Sequence, residues 1–262
     1  MKINKKVNCN KITALSSYLF LGILAIFIGL GAGLCLANTA NVNDFNSLEE
    51  AVGNNNISTI NVETDYIKLG GELSNINHSL AIYGKANGSI LDGNNAHRIF
   101  EFAPNSGNIT IDSIHFQNGR NEDPLNINNG GGAVHIEKGT NIAFINTNFS
   151  NNKATSNGGA IFFLGDAENS STLTFSGMAT FTSNESTSGH GGAIYTERSD
   201  LAFSKEVKFE KNRSSGNGGA IYFDGDAGKK NSLTFNSKVI FTNNESTNGK
   251  GGAIYAWHSN LT

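Results

Sequence analysis

Few side chains in this 262-residue sequence are of the types that carry out chemistry. His190 lies between two glycines, where an imidazole could act as a general acid or base. Asp166, Asp224 and Asp226 lie near glycines and offer the oxygen ligands that suit Ca²⁺. Their spacing matches no calcium-binding loop, and superposing the sequence on its own internal repeat places Lys250 where His190 stands. We therefore predict no catalytic residue, no cofactor and no metal site.

The composition excludes several classes of protein. The 31 Gly and 39 Asn residues are too many for an ordinary globular domain, whereas an apolar fraction of 38% with 17 Phe is too high for a disordered chain. The formal net charge is −3, and Lys and Arg form no cluster in the body of the chain. No nucleic-acid partner is therefore predicted, because such binding depends on a basic surface.

The N-terminal segment up to Ala37 has the pattern of a secretory signal. Four lysines precede an apolar stretch that ends at Ala37, with Cys35 placing a small residue at the −3 position of a cleavage site. We predict cleavage between Ala37 and Asn38; if it were not cleaved, the segment would be long enough to anchor the chain in a membrane. Cleavage changes the net charge from −3 to −7, because it removes four lysines and no acid. It also removes both cysteines, which excludes disulfides and thiolate metal sites from the mature chain.

Two tetrapeptides recur through the body of the sequence. The first, Gly-Gly-Ala followed by Ile or Val, recurs at alternately short and long intervals, so that one full repeat contains two tetrads. The second, Phe-x-x-Asn, has its Asn shortly before the next glycine pair. The motif residues are Gly131, Gly132, Phe149, Asn152, Gly158, Gly159, Phe181, Asn184, Gly191, Gly192, Phe209, Asn212, Gly218, Gly219, Phe241, Asn244, Gly251 and Gly252.

Short alternating apolar runs between these motifs predict about three strands in each interval between tetrads and no helix. Each interval then forms one coil of a parallel β-helix, in which equivalent residues lie about 4.8 Å apart along the axis. We expect Phe175, Phe203 and Phe235 to form one internal stack, and the motif phenylalanines another. The motif asparagines are expected to form a hydrogen-bonded ladder along a turn, and the glycines to form a sharp corner. This corner role explains the Asn-x-Ser triplets better than glycosylation does.

Two features of the repeats could lie on the surface. Most of the residues that distinguish the long intervals from the short ones fall in two loops, Gly165–Ser171 and Gly225–Asn231, which form either a contact surface or tolerated loop variation. Aromatic residues also follow the glycine tetrads. Facing outward they would form a strip able to stack on sugars or partner side chains; facing inward, which we favour, they belong to the core. These aromatic residues are Phe162, Tyr195, Tyr222 and Tyr255, with Trp257 beyond the last.

The predicted domain organisation has four parts. Residues 1–37 form the signal peptide, and residues 38–56 form a linker and a helix that caps the solenoid, with Ser47 and Glu50 as a capping box. Residues 57–120 form degenerate first coils. Residues 121–262 form the repeat β-helix, which stops in mid-repeat.

The alternation of the two tetrapeptides resembles the polymorphic outer membrane protein family over about residues 116–254. Upstream, residues 80–84, 91–93 and 116–119 are similar to the opening of the wider pectin-lyase-like superfamily. The resemblance implies an all-β, right-handed parallel β-helix that is secreted or displayed at the outer membrane as an autotransporter passenger. It also implies adhesion to a host or neighbouring cell-surface protein or glycan, and exposure as a variable antigen.

No series of strands that could form a membrane barrel precedes Thr262. Membrane association is therefore expected only through a C-terminal barrel missing from this sequence, or through an uncleaved N-terminal segment.

The alternative is a carbohydrate-binding or polysaccharide-cleaving enzyme of the pectin-lyase-like fold. Gly189-His190-Gly191 is similar to the glycine-histidine-glycine signature of polygalacturonases. Glycoside hydrolysis, however, requires two carboxyl groups roughly 5–10 Å apart, and no dense acidic group precedes His190.

Overall fold

The computed structural model describes residues 38–122, 129–166, 171–225, 228 and 231–262. The predicted signal peptide with Ala37, the residue Asp226 and four residues of each predicted loop lie outside these ranges. Cleavage of the signal and the surface role of the two loops therefore stay predictions.

The N-terminal part of the described chain contains one helix and nine strands. They are β1 (Asn38–Val42), α1 (Phe45–Gly53), β2 (Ile57–Val62), β3 (Tyr66–Lys68), β4 (Leu80–Tyr83), β5 (Ser89–Asp92), β6 (Phe100–Phe102), β7 (Gly107–Asp112), β8 (Ile114–Gln117) and β9 (Arg120–Asn121). The segment predicted as a linker and helix thus begins with a strand, and β1 pairs with β2.

The repeats contribute eighteen more strands to the described structure. They are β10 (Val134–Ile136), β11 (Thr140–Ile145), β12 (Thr147–Ser150), β13 (Lys153–Ala154), β14 (Ile161–Leu164), β15 (Thr172–Phe175), β16 (Ala179–Thr182), β17 (Glu185–Ser186), β18 (Ile194–Glu197), β19 (Asp200–Phe203), β20 (Val207–Glu210), β21 (Arg213–Ser214), β22 (Ile221–Asp224), β23 (Ser232–Phe235), β24 (Val239–Thr242), β25 (Glu245–Ser246), β26 (Ile254–Trp257) and β27 (Asn260–Leu261).

The strands stack into four parallel sheets that together form a β-solenoid. The first sheet has the order β1-β2-β4-β7-β11-β15-β19-β23-β27, and the second has the order β24-β20-β16-β12-β8-β5-β3. The corner sheet has the order β25-β21-β17-β13-β9, and the tetrad sheet, which follows the glycine tetrads, has the order β26-β22-β18-β14-β10-β6. The predicted parallel β-helix is confirmed, but each repeat coil has four strands, not three. The fourth strand has only two residues, which is too short for an alternating pattern to reveal.

Coil pairing follows the sequence repeat residue by residue. The residue after each glycine tetrad's Ala lies beside its equivalent in the next coil. The unequal intervals are absorbed outside the strands: β14 ends at Leu164 and β15 begins at Thr172, whereas β18 ends at Glu197 and β19 begins at Asp200. The series of paired residues is Val134, Ile161, Ile194, Ile221 and Ile254.

Two stacks of phenylalanine rings fill the core, as predicted. Neighbouring rings in a stack have centroids 4.7–5.3 Å apart and are nearly parallel. The two stacks also meet each other edge to face. Each buried ring contributes about 1.5–3 kcal/mol through removal of apolar surface from water. One stack is Phe144, Phe175, Phe203 and Phe235; the other is Phe116, Phe149, Phe181, Phe209 and Phe241.

The predicted asparagine ladder lies inside the turn between the second sheet and the corner sheet. Asn184 Oδ1 accepts hydrogen bonds from the backbone N–H and the side-chain amide of Asn152, at 3.1 and 2.9 Å. The Asn184 amide in turn donates to Asn212 Oδ1 at 2.9 Å and to the Phe149 carbonyl at 3.0 Å. Asn152, Asn184 and Asn212 are fully buried. The two triplets that start at Asn184 and Asn212 therefore have no accessible amide for glycosylation in the folded chain.

The ladder begins one coil before the first Phe-x-x-Asn motif. Phe116 pairs with Phe149, and the backbone N–H of Gly119 donates to Asn152 Oδ1 at 2.8 Å. Gly119 therefore occupies the first ladder position, which explains why Phe116-Gln117-Asn118 looks one residue short of the motif. The residue before each ladder position has φ between 52° and 55°, a left-handed conformation that the sequence did not reveal. These residues are Asn118, Asn151, Ser183, Lys211 and Asn243.

The glycine pairs form the predicted corner, and each member of a pair is required for a different reason. Gly191 has φ of 65°, which disfavours any residue with a Cβ. A Cβ on Gly192 would lie 2.2 Å from the carbonyl oxygen of Gly219 in the next coil. The second glycine is therefore required by the close approach of neighbouring backbones.

Helix α1 packs its apolar face against the first coils. Leu48 and Val52 are buried in the core, as their spacing predicted. The predicted capping box from Ser47 to Glu50 is wrong, because Asp44 is the N-cap and its side chain accepts from the Ser47 N–H at 2.8 Å. The helix begins one turn earlier because Asp44 caps it at least as well as a serine would.

We expect Gly192→Ala to destabilise the chain by about 1–3 kcal/mol or more, because the new methyl group overlaps a backbone carbonyl of the next coil. Gly252→Ala is the matched control, since the nearest atom to its added Cβ lies 3.6 Å away. Urea unfolding followed by circular dichroism measures both variants. Equal stability of the two variants would contradict the close-approach explanation.

Asn184→Ala should destabilise the chain by about 3 kcal/mol, because it leaves several buried hydrogen-bonding groups without partners. Asn244→Ala removes three of the four equivalent bonds, where the ladder is only partly buried, so water can replace them. Its expected cost is about 1 kcal/mol. The same unfolding experiment tests the pair, and a larger loss in Asn244→Ala than in Asn184→Ala would count against the ladder.

Candidate functional site

The tetrad sheet carries aromatic side chains on its outer surface. In β18, Ile194 and Thr196 are fully buried, and the Tyr195 side chain between them lies on the opposite face of the strand. Tyr195 and its equivalents stack ring on ring at centroid distances of 4.9–5.3 Å, with planes within 19°. We call this series the aromatic column. Its members are His135, Phe162, Tyr195, Tyr222 and Tyr255.

The aromatic residues lie on the outward face of the tetrad sheet, not on the inward face that we favoured, although Phe162 and Tyr195 are buried. Ile161 and Phe163 take the inward positions of β14, which leaves Phe162 on the outside. Phe162 is nevertheless only 1% exposed, because His135 and Tyr195 cover its two faces. Regular stacking occurs on both faces of the sheet, so the repeat pattern alone could not show whether these residues face inward or outward.

Carboxylates form a second outward column two residues further along the strands. The Tyr195 hydroxyl donates to Glu197 Oε2 at 3.0 Å, and Asp224 pairs with Glu197 in register on the adjacent strand. Burial raises the pKa of Asp224, with the charge of Glu197 adding to the effect, while a hydrogen bond from His258 opposes it. Sequence reasoning missed this pair, because its two members lie in different coils and belong to neither repeated motif.

Each member of the carboxylate pair contacts a basic residue, and these contacts give the pair a structural role. Glu197 forms an ion pair with Arg198, and Asp224 lies 3.4 Å from His258 Nδ1. Asp166, the other described aspartate of the calcium hypothesis, does not join them in a metal-binding group. Within the described ranges, no three His, Cys, Asp or Glu side chains are placed to hold a metal ion.

A groove of about 330 Å³ lies between the aromatic column and the turns that follow the corner sheet. Two tyrosines of the column form one side, and short polar residues from two successive coils form the other. The lining residues are Thr155, Ser156, Asn157, Ser188, Gly189, His190, Tyr195 and Tyr222. The groove brings ring edges, hydroxyls and an imidazole together on the outer surface.

His190 is held in one orientation in this groove. Its Nδ1 accepts the backbone N–H of Asn217 at 2.8 Å, and its ring stacks on Tyr222 at 4.8 Å. Burial lowers the pKa of His190, so the ring is neutral near pH 7 and carries its proton on Nε2. The backbone N–H of His190 donates to Asn157 Oδ1 at 2.8 Å, and that of Lys250 donates equivalently to Asn217 Oδ1.

The repeat therefore keeps the backbone geometry at this position while the side chain changes. The residue type at this position differs between repeats, as the sequence indicated, but the His190 side chain is held in a defined orientation.

The architecture defines the class of the protein. It is a parallel β-solenoid whose coils are fixed by internal phenylalanine stacks, an asparagine ladder and glycine corners. Four segments of the chain match the Chlamydia polymorphic membrane protein repeat, at residues 146–163, 179–197, 206–224 and 238–256. Through these repeats the chain is similar to the polymorphic membrane protein family.

Two relatives support this assignment. The chain is 36% identical over 121 residues to the probable outer membrane protein pmp6 of Chlamydia pneumoniae, covering 42% of this chain and 9% of that protein. It is 35% identical over 118 residues to the probable autotransporter YfaL of Escherichia coli K12, covering 43% of this chain and 9% of that protein. The chain thus matches about a tenth of the length of these relatives. No solved structure shows a significant match.

The names of the two relatives, an outer membrane protein and an autotransporter, agree with the outer-membrane or cell-surface localisation that the sequence predicts. Among the described residues, no helix has the length and apolar character needed to cross a membrane.

The tyrosines of the aromatic column should make stability depend on high pH. Burial raises the pKa of Tyr222 to about 12 and raises the pKa of Tyr195 further. Above about pH 10 the unfolded chain loses phenol protons that the folded chain keeps, so this part of the stability is complete below pH 10 and is lost towards pH 12.

We expect the free energy of unfolding to fall less between about pH 8 and pH 11.5 in Tyr222→Phe than in the unmodified chain. Tyr83→Phe, at an exposed tyrosine outside the column, controls for loss of a phenol. Phenolate absorbance of the folded chain checks the titration directly. An identical pH dependence in Tyr222→Phe and the unmodified chain would disprove the prediction.

Proposed function

We propose that this surface-displayed segment serves adhesion, binding a host or neighbouring cell-surface protein or glycan, and that it is exposed as an antigen. The observation that carries the proposal is the separation of roles between the two faces of the solenoid. The phenylalanines, asparagines and glycines that the repeat fixes point inward or form corners. Outward positions are consequently free to vary, which is what a binding and antigenic surface requires.

The outer surface also has features suited to contact. Tyr66 and Trp257 are 44% and 50% exposed, and Tyr222 and Tyr255 of the aromatic column are partly exposed. Tyrosine and tryptophan are common in contact surfaces because each combines a large apolar area with a polar group. These features support contact with a partner through the outer face.

The groove supports binding better than catalysis. Its lining contains His190 and two tyrosines but no carboxylate in the described structure. Glu197 and Asp224 lie beside the column and are engaged with Tyr195, Arg198 and His258. We therefore retain non-enzymatic adhesion as the proposal, and polysaccharide cleavage as an outcome of its test.

Beads coated with the purified full chain test the proposal on cultured host cells and on neighbouring bacteria. We expect saturable attachment that excess soluble chain abolishes and that beads coated with unfolded chain lack. Attachment no higher than that of the unfolded control on all cell types would refute adhesion. Release of reducing sugar ends from a polysaccharide, lost in His190→Ala, would establish the enzymatic alternative instead.

A further inference from the structure

We propose that the groove beside the aromatic column binds a neutral, hydroxyl-rich sugar ring of a cell-surface glycan. This inference rests on the proposed adhesive function and names the chemistry of the ligand. The groove volume of about 330 Å³ is at the small end of ligand sites and fits one or two sugar rings rather than an extended polypeptide.

Two polar groups of the groove are candidates for contact with a ligand. Ser156 is 8% exposed, and its hydroxyl has no hydrogen-bond partner in the described structure. The hydroxyl oxygen is itself buried, so rotation of the Ser156 side chain towards the groove would bring it to a ligand hydroxyl and recover the free energy that the missing partner costs. His190 uses Nδ1 to accept the Asn217 N–H, which leaves its Nε2–H as a donor.

The charge of the groove favours a neutral ligand. Hydroxyl, amide and phenol groups line it, and its imidazole is neutral because burial lowers the pKa of His190. A charged group entering the groove would lose its hydration without meeting an opposite charge, which is costly. Sugar hydroxyls both donate and accept hydrogen bonds, so they match a lining of Ser, Thr, Asn and Tyr side chains.

The stacking of the column determines how the ring can lie. Tyr195 and Tyr255 cover the two faces of the Tyr222 ring, at 4.9 and 5.3 Å. A sugar therefore cannot lie flat on Tyr222 and instead contacts the ring edges and the imidazole. Orientation then depends on the hydrogen bonds to His190 and Ser156, which makes these two residues the determinants of affinity.

The chain provides its own control for this site. Superposing one full repeat on the next replaces Ser156 by Gly216 and His190 by Lys250, and the backbone N–H of His190 and of Lys250 donates to the equivalent asparagine in each. Ser156→Gly and His190→Lys therefore introduce residues that the repeat already accepts at these positions. Loss of binding in these variants can be separated from loss of folding.

Two experiments test the inference. The full chain is first bound to an array of neutral, sialylated and sulfated oligosaccharides, and the best ligand is then titrated by calorimetry. We expect neutral oligosaccharides to bind. Their affinity should fall at least about tenfold in Ser156→Gly and in His190→Lys, because each variant loses one or more hydrogen bonds to the ligand. Lys250→Ala should bind within about twofold of the unmodified chain. Circular dichroism and thermal unfolding verify that all variants are folded.

Absence of binding to every neutral glycan, selective binding of charged glycans, or unchanged affinity in His190→Lys would each overturn the inference. The cell-attachment assay distinguishes this failure from failure of the adhesive function. Attachment that persists in Ser156→Gly and His190→Lys, without glycan binding, leaves adhesion standing and removes the sugar site. Glycan binding without cell attachment would support the sugar site and refute the adhesive function.

Discussion

The hydrogen bonds between successive ladder asparagines fix the register on which the rest of the solenoid depends. The side-chain oxygens of Asn184, Asn212 and Asn244 each accept two bonds from the preceding coil, as Asn212 Oδ1 does from Asn184. A slip of one residue would break these buried bonds and would also turn the phenylalanines outward, because side chains alternate along a strand. The polar ladder and the apolar stacks therefore enforce the same alignment, and the glycine corners allow the coils to approach closely enough for both.

The same register determines which residues lie beside one another on the outer surface. Tyr195 lies above Tyr222 because Ile194 lies above Ile221, so an aromatic residue at one outward position produces a stacked column without any further requirement. The same alignment places Glu197 beside Asp224, where burial and the neighbouring charge raise the pKa of Asp224. Function can thus be built on the outside by changing single residues, while the interior keeps the coils in place.

Much of the interior could be predicted from the sequence because its determinants are local and repeated. The stack of Phe181 on Phe209 and the ladder through Asn184 both follow from one spacing and one fold. The outer features could not be predicted in this way. Phe162 is buried by its neighbours although it lies outside the core, and Asp44 rather than Ser47 caps the helix, because both outcomes depend on competition between adjacent residues.

The repeat pattern in the amino-acid sequence was enough to predict the solenoid, its coil length and the identity of the residues that stack, since equivalent motif residues of successive coils lie in register. Three-dimensional packing was needed to show which face each aromatic residue occupies and which residues meet across coils. His190 meets Tyr222 and Asn217 because a turn of one coil lies against the strand of the next. Such contacts depend on the placement of side chains at a corner, and no periodicity along the chain encodes that placement.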